Sequence, residues 1–254
     1  MEDLKDKTAL VTGASTGIGA AVAVAFAARG MRVAVHYNSS ADAANGVVDT
    51  IRAAGGTAFA LKADVRDTAA IRECVKQAAA QLGRIDVLVN NAGSLVKRVP
   101  IAEFDDALFD EVMHINARSV LAYCREVVPL MRAQGRGGSI VNVSSIAARN
   151  GGGPGACLYA GAKGFVSTAT RGLAKELAPD RIRVNAVSPG VIQTPFHDRF
   201  STPQLLESFK AAIPLARIGE PDDCVGAFLY LASEQLSGYV TGQILEVNGG
   251  QYMP

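Results

Sequence analysis

The sequence predicts an α/β fold: a doubly wound, open parallel sheet of about seven strands flanked by helices on both faces. Three features predict it. Short β-branched runs alternate with alanine-rich stretches of helical length along the whole chain. The runs are nearly continuous in apolar residues, as strands covered on both faces must be. The first run leads into a glycine-rich turn that opens a helix, "LVTGASTGIG" at 10–19.

In chain order, "TALVT" (8–12), "RVAVHY" (32–37), "AFALKAD" (58–64) and "IDVLVN" (85–90) are the first four strands. "SIVNVSS" (139–145), "IRVNAVS" (182–188) and "QILEVN" (243–248) are the last three. Between them lie helices over 18–29, 41–54, 68–82, 105–132, 158–178 and 221–233. Gly30, Gly55, Gly56 and Gly83 stand where three of these must stop. No linker, repeat or low-complexity tract divides the chain, so residues 1–254 read as a single domain. One stretch breaks the rhythm: 190–223 is far longer than an ordinary crossover and carries four prolines and a short amphipathic helix. Its first part, about 190–215, reads as a substrate loop or lid at the carboxyl edge of the sheet.

The chain is 49% hydrophobic and 19% charged, enough to bury a substantial core. Lys and Arg number 25 against 24 Asp and Glu, so there is no charge footprint for nucleic acid or an anionic membrane. No run approaches the ~18 apolar residues of a membrane span, and "MEDLKDK" does not read as a leader. Cys74, Cys124, Cys157 and Cys224 lie far apart, which predicts buried thiols of a cytoplasmic protein rather than disulfides or a metal site.

Gly13, Gly17 and Gly19 are spaced G-x3-G-x-G between a strand and a helix. Glycines there let the backbone approach a pyrophosphate, and the helix N-terminus offers free amides. A tight strand–helix turn uses glycine for steric reasons too, so the loop alone leaves both explanations open. Tyr159 and Lys163 stand at i and i+4 of a helix and therefore share a face. A free tyrosine titrates at ~10. A nearby ammonium favours the phenolate, and a shift of ~3 units asks for roughly 4 kcal/mol, within reach of a close desolvated charge together with a cationic cofactor. An ordinary Tyr/Lys pair on a solvated face fits the spacing as well. Ser144 and Ser145 end the fifth strand near the start of that helix, where a hydroxyl can hold a carbonyl oxygen or serve as turn chemistry. His197 stands beside Asp198 in the candidate substrate loop, but no G-x-S-x-G nucleophile motif accompanies the pair, so it reads as a substrate-loop residue, and His36 and His114 read as packing or strand-end residues.

These stretches stand in register with "DV" (64–65), "NNAG" (90–93), "HIN" (114–116), "IVNVSS" (140–145), "SPG" (188–190) and "TGQILEVNGG" (241–250). Together they make the chain similar to the short-chain dehydrogenase/reductase family over nearly its whole length, near the 3-oxoacyl-(acyl-carrier-protein) reductases and the sugar or polyol dehydrogenases. The resemblance implies a Rossmann-type fold and hydride transfer between a nicotinamide cofactor and a small carbonyl or secondary-alcohol substrate. It makes Tyr159 the acid/base, Lys163 the residue that lowers its pKa and holds the nicotinamide ribose, Ser145 the holder of the reacting oxygen, and Asn116 the organiser of a proton-relay water. It gives the pyrophosphate to the loop Gly13, Ser15, Thr16, Gly17, Ile18 and Gly19. It sets Asp64 and Val65 at the adenine and Asn91, Ala92 and Gly93 at the adjoining ribose, with Pro189, Gly190, Ile192 and Thr194 beside the nicotinamide. It also implies a homotetramer.

The end of the second strand chooses the cofactor. An acid there binds a ribose 2′-hydroxyl and repels a 2′-phosphate. Here Tyr37 stands in its place, followed by Asn38 and Ser39, which can donate to a phosphate. Thr16 and Asn38 occupy positions that are often basic in users of the phosphorylated cofactor. The expectation is NADP(H), with NAD(H) not barred.

Overall fold

The structure, a computed structural model, describes all 254 residues. Seven parallel strands form one sheet: β1 (Thr8–Val11), β2 (Arg32–Tyr37), β3 (Thr57–Lys62), β4 (Val87–Asn90), β5 (Gly138–Val143), β6 (Ile182–Pro189) and β7 (Ile244–Val247), in spatial order 3-2-1-4-5-6-7. The helices are α1 (Gly17–Ala28), α2 (Ala41–Ala53), α3 (Thr68–Leu82), α4 (Asp106–Met113), α5 (Ser119–Gln134), α6 (Ala147–Asn150), α7 (Cys157–Leu177), α8 (Pro195–Phe200), α9 (Pro203–Ala211), α10 (Pro221–Ala232) and α11 (Glu234–Ser237).

All residues of β1 and β4 are buried, which is why their sequences do not alternate. Successive side chains still point to opposite faces. Ala9 and Val11 join a core of 26 buried residues under α1, α2 and α10, whereas Leu10 joins one of 23 under α3, α5 and the end of α7. Asp67 caps α3 by accepting from the Ala69 amide, and Gly83 ends it at φ 79°, a left-handed turn closed to most other residues. A capping box between Glu220 and Asp223 starts α10.

Two elements depart from expectation. The helix expected over 105–132 is interrupted at His114–Arg118 by a wide π-helical turn, which puts Asn116 inward between α4 and α5. The long insertion folds into two short helices, α8 and α9, rather than one. Cys74, Cys124 and Cys224 are buried thiols as expected, but Cys157, on the first turn of α7, is exposed. Strand order reverses direction between β1 and β4, so the loops leaving them part and open a crevice at the carboxyl edge.

Candidate active site

A cleft of about 830 Å³ runs along that edge. At one end lies the glycine loop. Gly13 (φ 61°) lies against the Ala92 backbone, where an added Cβ would stand 2.9 Å from Ala92 Cα; a Cβ on Gly19 would meet the Gly13 carbonyl at 2.4 Å. Asn91 fixes this contact by donating its amide to the carbonyls of Thr12 and Gly13, both at 2.9 Å. The Asn91 and Ala92 amides in turn donate to Thr12 Oγ1. Thr16, the N-cap of α1, makes no side-chain cap bond, and the first turn holds no acid. Its amides therefore remain available to an anion. That is the cradle a dinucleotide pyrophosphate needs, and the residues fit one.

Gly13, Ser15, Thr16, Gly17, Ile18, Asn38, Ser39, Asp64, Val65, Asn91, Ala92 and Gly93 all line the cleft, as do Ser145, Tyr159, Lys163, Pro189, Gly190, Ile192 and Thr194. Three expected site residues do not. Gly19 is buried behind the loop, where it allows α1 to meet Gly13. Tyr37 was expected beside the cofactor, but its ring packs against the core under α1 and α10. Strand alternation is the reason: Tyr37 shares its face with Val33 and Val35, and His36 takes the cleft side. There the His36 ring accepts from the Gly13 amide at 3.0 Å and meets the Ala63 carbonyl at 3.0 Å. Burial lowers its pKa to about 4, so it is a neutral brace under the loop.

Asn116, the third, lies beneath the cleft floor. Its Oδ1 accepts from the Ser94 amide, and its Nδ2 donates to the carbonyls of Ser94 and Val112. Asn116 and Lys163 meet at Gly93, where an added Cβ would come within 2.9 Å of Asn116 Oδ1 and 3.2 Å of Lys163 Nζ. Lys163 is 2% exposed and donates to the Val143 carbonyl at 2.8 Å; its Nζ lies 5.7 Å from the Tyr159 ring centre.

The paired serines separate by role. Ser144 is buried and bonded to Ser167 Oγ at 2.7 Å and to the Lys163 carbonyl, so it holds β5 to α7. Ser145 is half-buried, accepts from the Ala147 amide, and stands near enough to Tyr159 to favour its phenolate.

The expected lowering of the Tyr159 pKa joins Lys163 to a bound cationic cofactor. In the free protein the crowded cleft wall pushes the half-buried phenol up to about 12, with Ser145 pulling it back only in part. Lys163 itself falls to about 8 because its ammonium is buried. Desolvation prevails over an attraction whose charge is turned toward Val143 rather than the phenol oxygen.

Sequence reasoning missed several cleft residues because they belong to no short motif. At the end of the cleft lined by Asp64 and Val65, Arg66 is held bidentately by Asp64 and bonds Glu111. At the other end, Phe196 lies 5.6 Å from Tyr159, and His197, Phe200 and Phe209 continue the aromatic row. Arg98 completes that wall. Of this wall, the sequence foreshadowed His197 as a substrate-loop residue and the rest only through the length and composition of 190–223.

A Tyr–Lys–Ser group at one end of a dinucleotide cradle, on this strand order, defines a nicotinamide-dependent oxidoreductase. The chain belongs to the short-chain dehydrogenase/reductase family. A family profile described as enoyl-(acyl carrier protein) reductase matches residues 13–251. The chain is 40% identical over 251 residues to 3-oxoacyl-[acyl-carrier-protein] reductase FabG of Staphylococcus aureus, covering 97% of this chain and 98% of that protein. It is 39% identical to the 3-oxoacyl-[acyl-carrier-protein] reductase of Synechocystis sp. over 257 residues, with both chains covered in full. Among solved structures, an NADH-dependent reductase responsible for alginate metabolism superposes with a TM-score of 0.91 at 36% identity, covering both chains completely. A short-chain type dehydrogenase/reductase from Mycobacterium marinum superposes at 0.93, also 36% identical, over 100% of this chain and 98% of that one.

Proposed function

We propose that the protein reduces a ketone of the 3-oxoacyl type to a secondary alcohol, with NADP(H) preferred to NAD(H) and Tyr159 as proton donor. The observation that carries this is the meeting of Ser145, Tyr159 and Lys163 at one end of a cleft whose other end is the glycine cradle. When bound, the cofactor supplies the hydride.

The chain's own residues bind, orient and move the proton. Amides of the Gly13–Gly19 loop take the pyrophosphate; Asp64 and Val65 flank the adenine, Asn91–Gly93 the ribose, and Pro189, Gly190, Ile192 and Thr194 the nicotinamide. The Ser145 hydroxyl holds the ketone oxygen and so polarises the carbonyl. Tyr159 delivers its proton to that oxygen, and its high pKa in the free protein keeps the phenol protonated until then. Lys163 holds the nicotinamide ribose and stabilises the phenolate left behind. Asn116, whose side-chain groups are engaged by Ser94 and Val112 beneath the cleft floor, is a positioning residue that anchors the Ser94 loop rather than the holder of a proton-relay water.

The cofactor preference rests on the end of β2. Asn38, Ser39 and Ser40 line the cleft there without an acid, and the two cleft acids, Asp64 and Glu111, are engaged by Arg66. The solved relative described as NADH-dependent favours the second reading, NAD(H). Fluorescence titration decides between them: NADPH is expected to bind about tenfold tighter, roughly 1.4 kcal/mol, and tighter binding of NADH overturns the preference.

Substrate closes under the 190–215 segment as a lid on a single domain spanning 1–254. The protein is further read as a cytoplasmic homotetramer. The support for assembly is the exposed apolar residues Leu121 on α5, Phe165 on α7 and Leu245 on β7. Light scattering tests the tetramer directly, and a monomer mass overturns it.

A further inference from the structure

We propose that the substrate ketone carries an anionic group, set apart from the reacting carbonyl by an apolar body, and that Arg98 binds that anion. The inference rests on the ketone-reduction reading above and adds the substrate's chemical class.

Arg98 leaves the loop after β4 and lines the cleft at its aromatic end. Two of its N–H groups are fixed by backbone: Nε donates to the Phe200 carbonyl at 2.7 Å and Nη1 to the Pro154 carbonyl at 2.9 Å. A guanidinium has five N–H donors in a rigid fork, so the remaining ones are held in a set orientation. No Asp or Glu forms an ion pair with Arg98. The only carboxylates lining the cleft, Asp64 and Glu111, lie at the adenine end with Arg66. At the substrate end the charged side chains lining the wall are Arg98 and Arg199, and the neighbouring Asp198 lies off the lining, where it accepts from Gln193. Arg199 lies over the Phe200 ring at 5.1 Å and adds a second, exposed cation.

A partly desolvated guanidinium without a counter-charge is an unfavourable arrangement that a bound carboxylate or phosphate relieves through a bidentate pair. The loop that presents Arg98 is itself strained. Val96 sits at φ 64°, a left-handed conformation that a β-branched residue rarely adopts.

The spacing follows from the rings. From Tyr159 the wall runs through Phe196 (5.6 Å) to Phe200 (5.0 Å from Phe196), whose carbonyl Arg98 holds. The Phe209 ring and Arg98 Nη1 also come together at Gly153, 3.6 and 3.7 Å from where its Cβ would stand. A carbonyl at Tyr159 and an anion at Arg98 therefore have aromatic surface between them. An apolar chain or ring suits that surface, whereas a 2-oxo acid places its two groups too close together.

The test uses matched probes on the NADP⁺-bound protein: 4-acetylbenzoate, its uncharged methyl ester, and 4-acetylphenyl phosphate. Calorimetric titration reads binding, and NADPH consumption by the same ketones reads turnover. The expected result is binding of the carboxylate at least about tenfold tighter than the ester. Arg98→Met brings the two within about twofold, and Arg98→Lys falls between. Tighter binding of the phosphate than of the carboxylate upholds the site and identifies a phosphoryl group as its anion. Equal binding of acid and ester by the unmodified protein overturns the inference. So does an Arg98→Met variant that weakens both equally, since Arg98 then only fastens the lid. A preference for the anions in binding with no NADPH consumption upholds the anion site, and the same absence of turnover with a 3-oxoacyl thioester sinks the ketone-reduction reading instead.

Discussion

Lys163 is a buried ammonium, and removing it should stabilise the protein while disabling it. Burial lowers its pKa from 10.5 to about 8. At about 1.36 kcal/mol per unit, holding the charge inside costs roughly 3 kcal/mol at neutral pH. Lys163→Met removes that cost but leaves the Val143 carbonyl without its donor, a loss of about 1–3 kcal/mol. A net gain of about 1 kcal/mol near pH 7 is expected, read as a higher urea midpoint with unchanged slope. The pH dependence is the sharper signature. Below pH 8 the lysine is protonated in both folded and unfolded chains, so the full cost is present. Between pH 8 and 10.5 the folded protein releases the proton and the unfolded chain keeps it, so unmodified protein gains stability relative to the variant. By pH 10.5 the order reverses, and the variant is the less stable of the two. A stability difference that stays constant from pH 7 to 10.5 refutes the reasoning, as does a variant less stable at every pH.

Further outcomes follow from the same geometry. Gly93→Ala drives a Cβ to 2.9 Å from Asn116 Oδ1 and 3.2 Å from Lys163 Nζ, so kcat/KM should fall more than about tenfold, with the circular dichroism spectrum retained. The serines should split: Ser145→Ala lowers kcat by about 10²–10³ with little change in stability, whereas Ser144→Ala, which breaks a buried bond to Ser167, costs about 1–3 kcal/mol of stability. Kinetics and denaturation on the two variants distinguish them. Asn116→Ala strips the Ser94 loop of its two anchors and should raise KM as well as lower kcat, measured by steady-state kinetics.

Much of this molecule is legible in its sequence because parallel strands buried on both faces leave an unmistakable apolar run. Each of the seven expected strands exists, with no end shifted by more than two residues. The cleft residues drawn from motifs are also brought together, because strand ends and helix starts fix them through the backbone alone. What could not be read depends on side-chain direction and long-range contact. Alternation in β2 gives the cleft to His36 and sends Tyr37 to the core. The π-helical turn at His114–Arg118 carries no propensity signal, yet it directs Asn116 toward Gly93. The balance between desolvation and attraction at Tyr159 and Lys163 reflects burial that an i, i+4 spacing does not encode. Arg98 and the aromatic wall meet only through tertiary folding, 102 residues apart along the chain.

The central claim is that Tyr159 gives the ketone its proton. Tyr159→Phe keeps the ring that packs against Phe196 and removes only the hydroxyl. The decisive measurement is single-turnover NADPH oxidation by this variant with a reducible ketone, alongside its affinity for NADPH. The account predicts a rate lower by about 10²–10⁴ with nucleotide affinity within about threefold. A Tyr159→Phe protein that oxidises NADPH at the unmodified rate contradicts it.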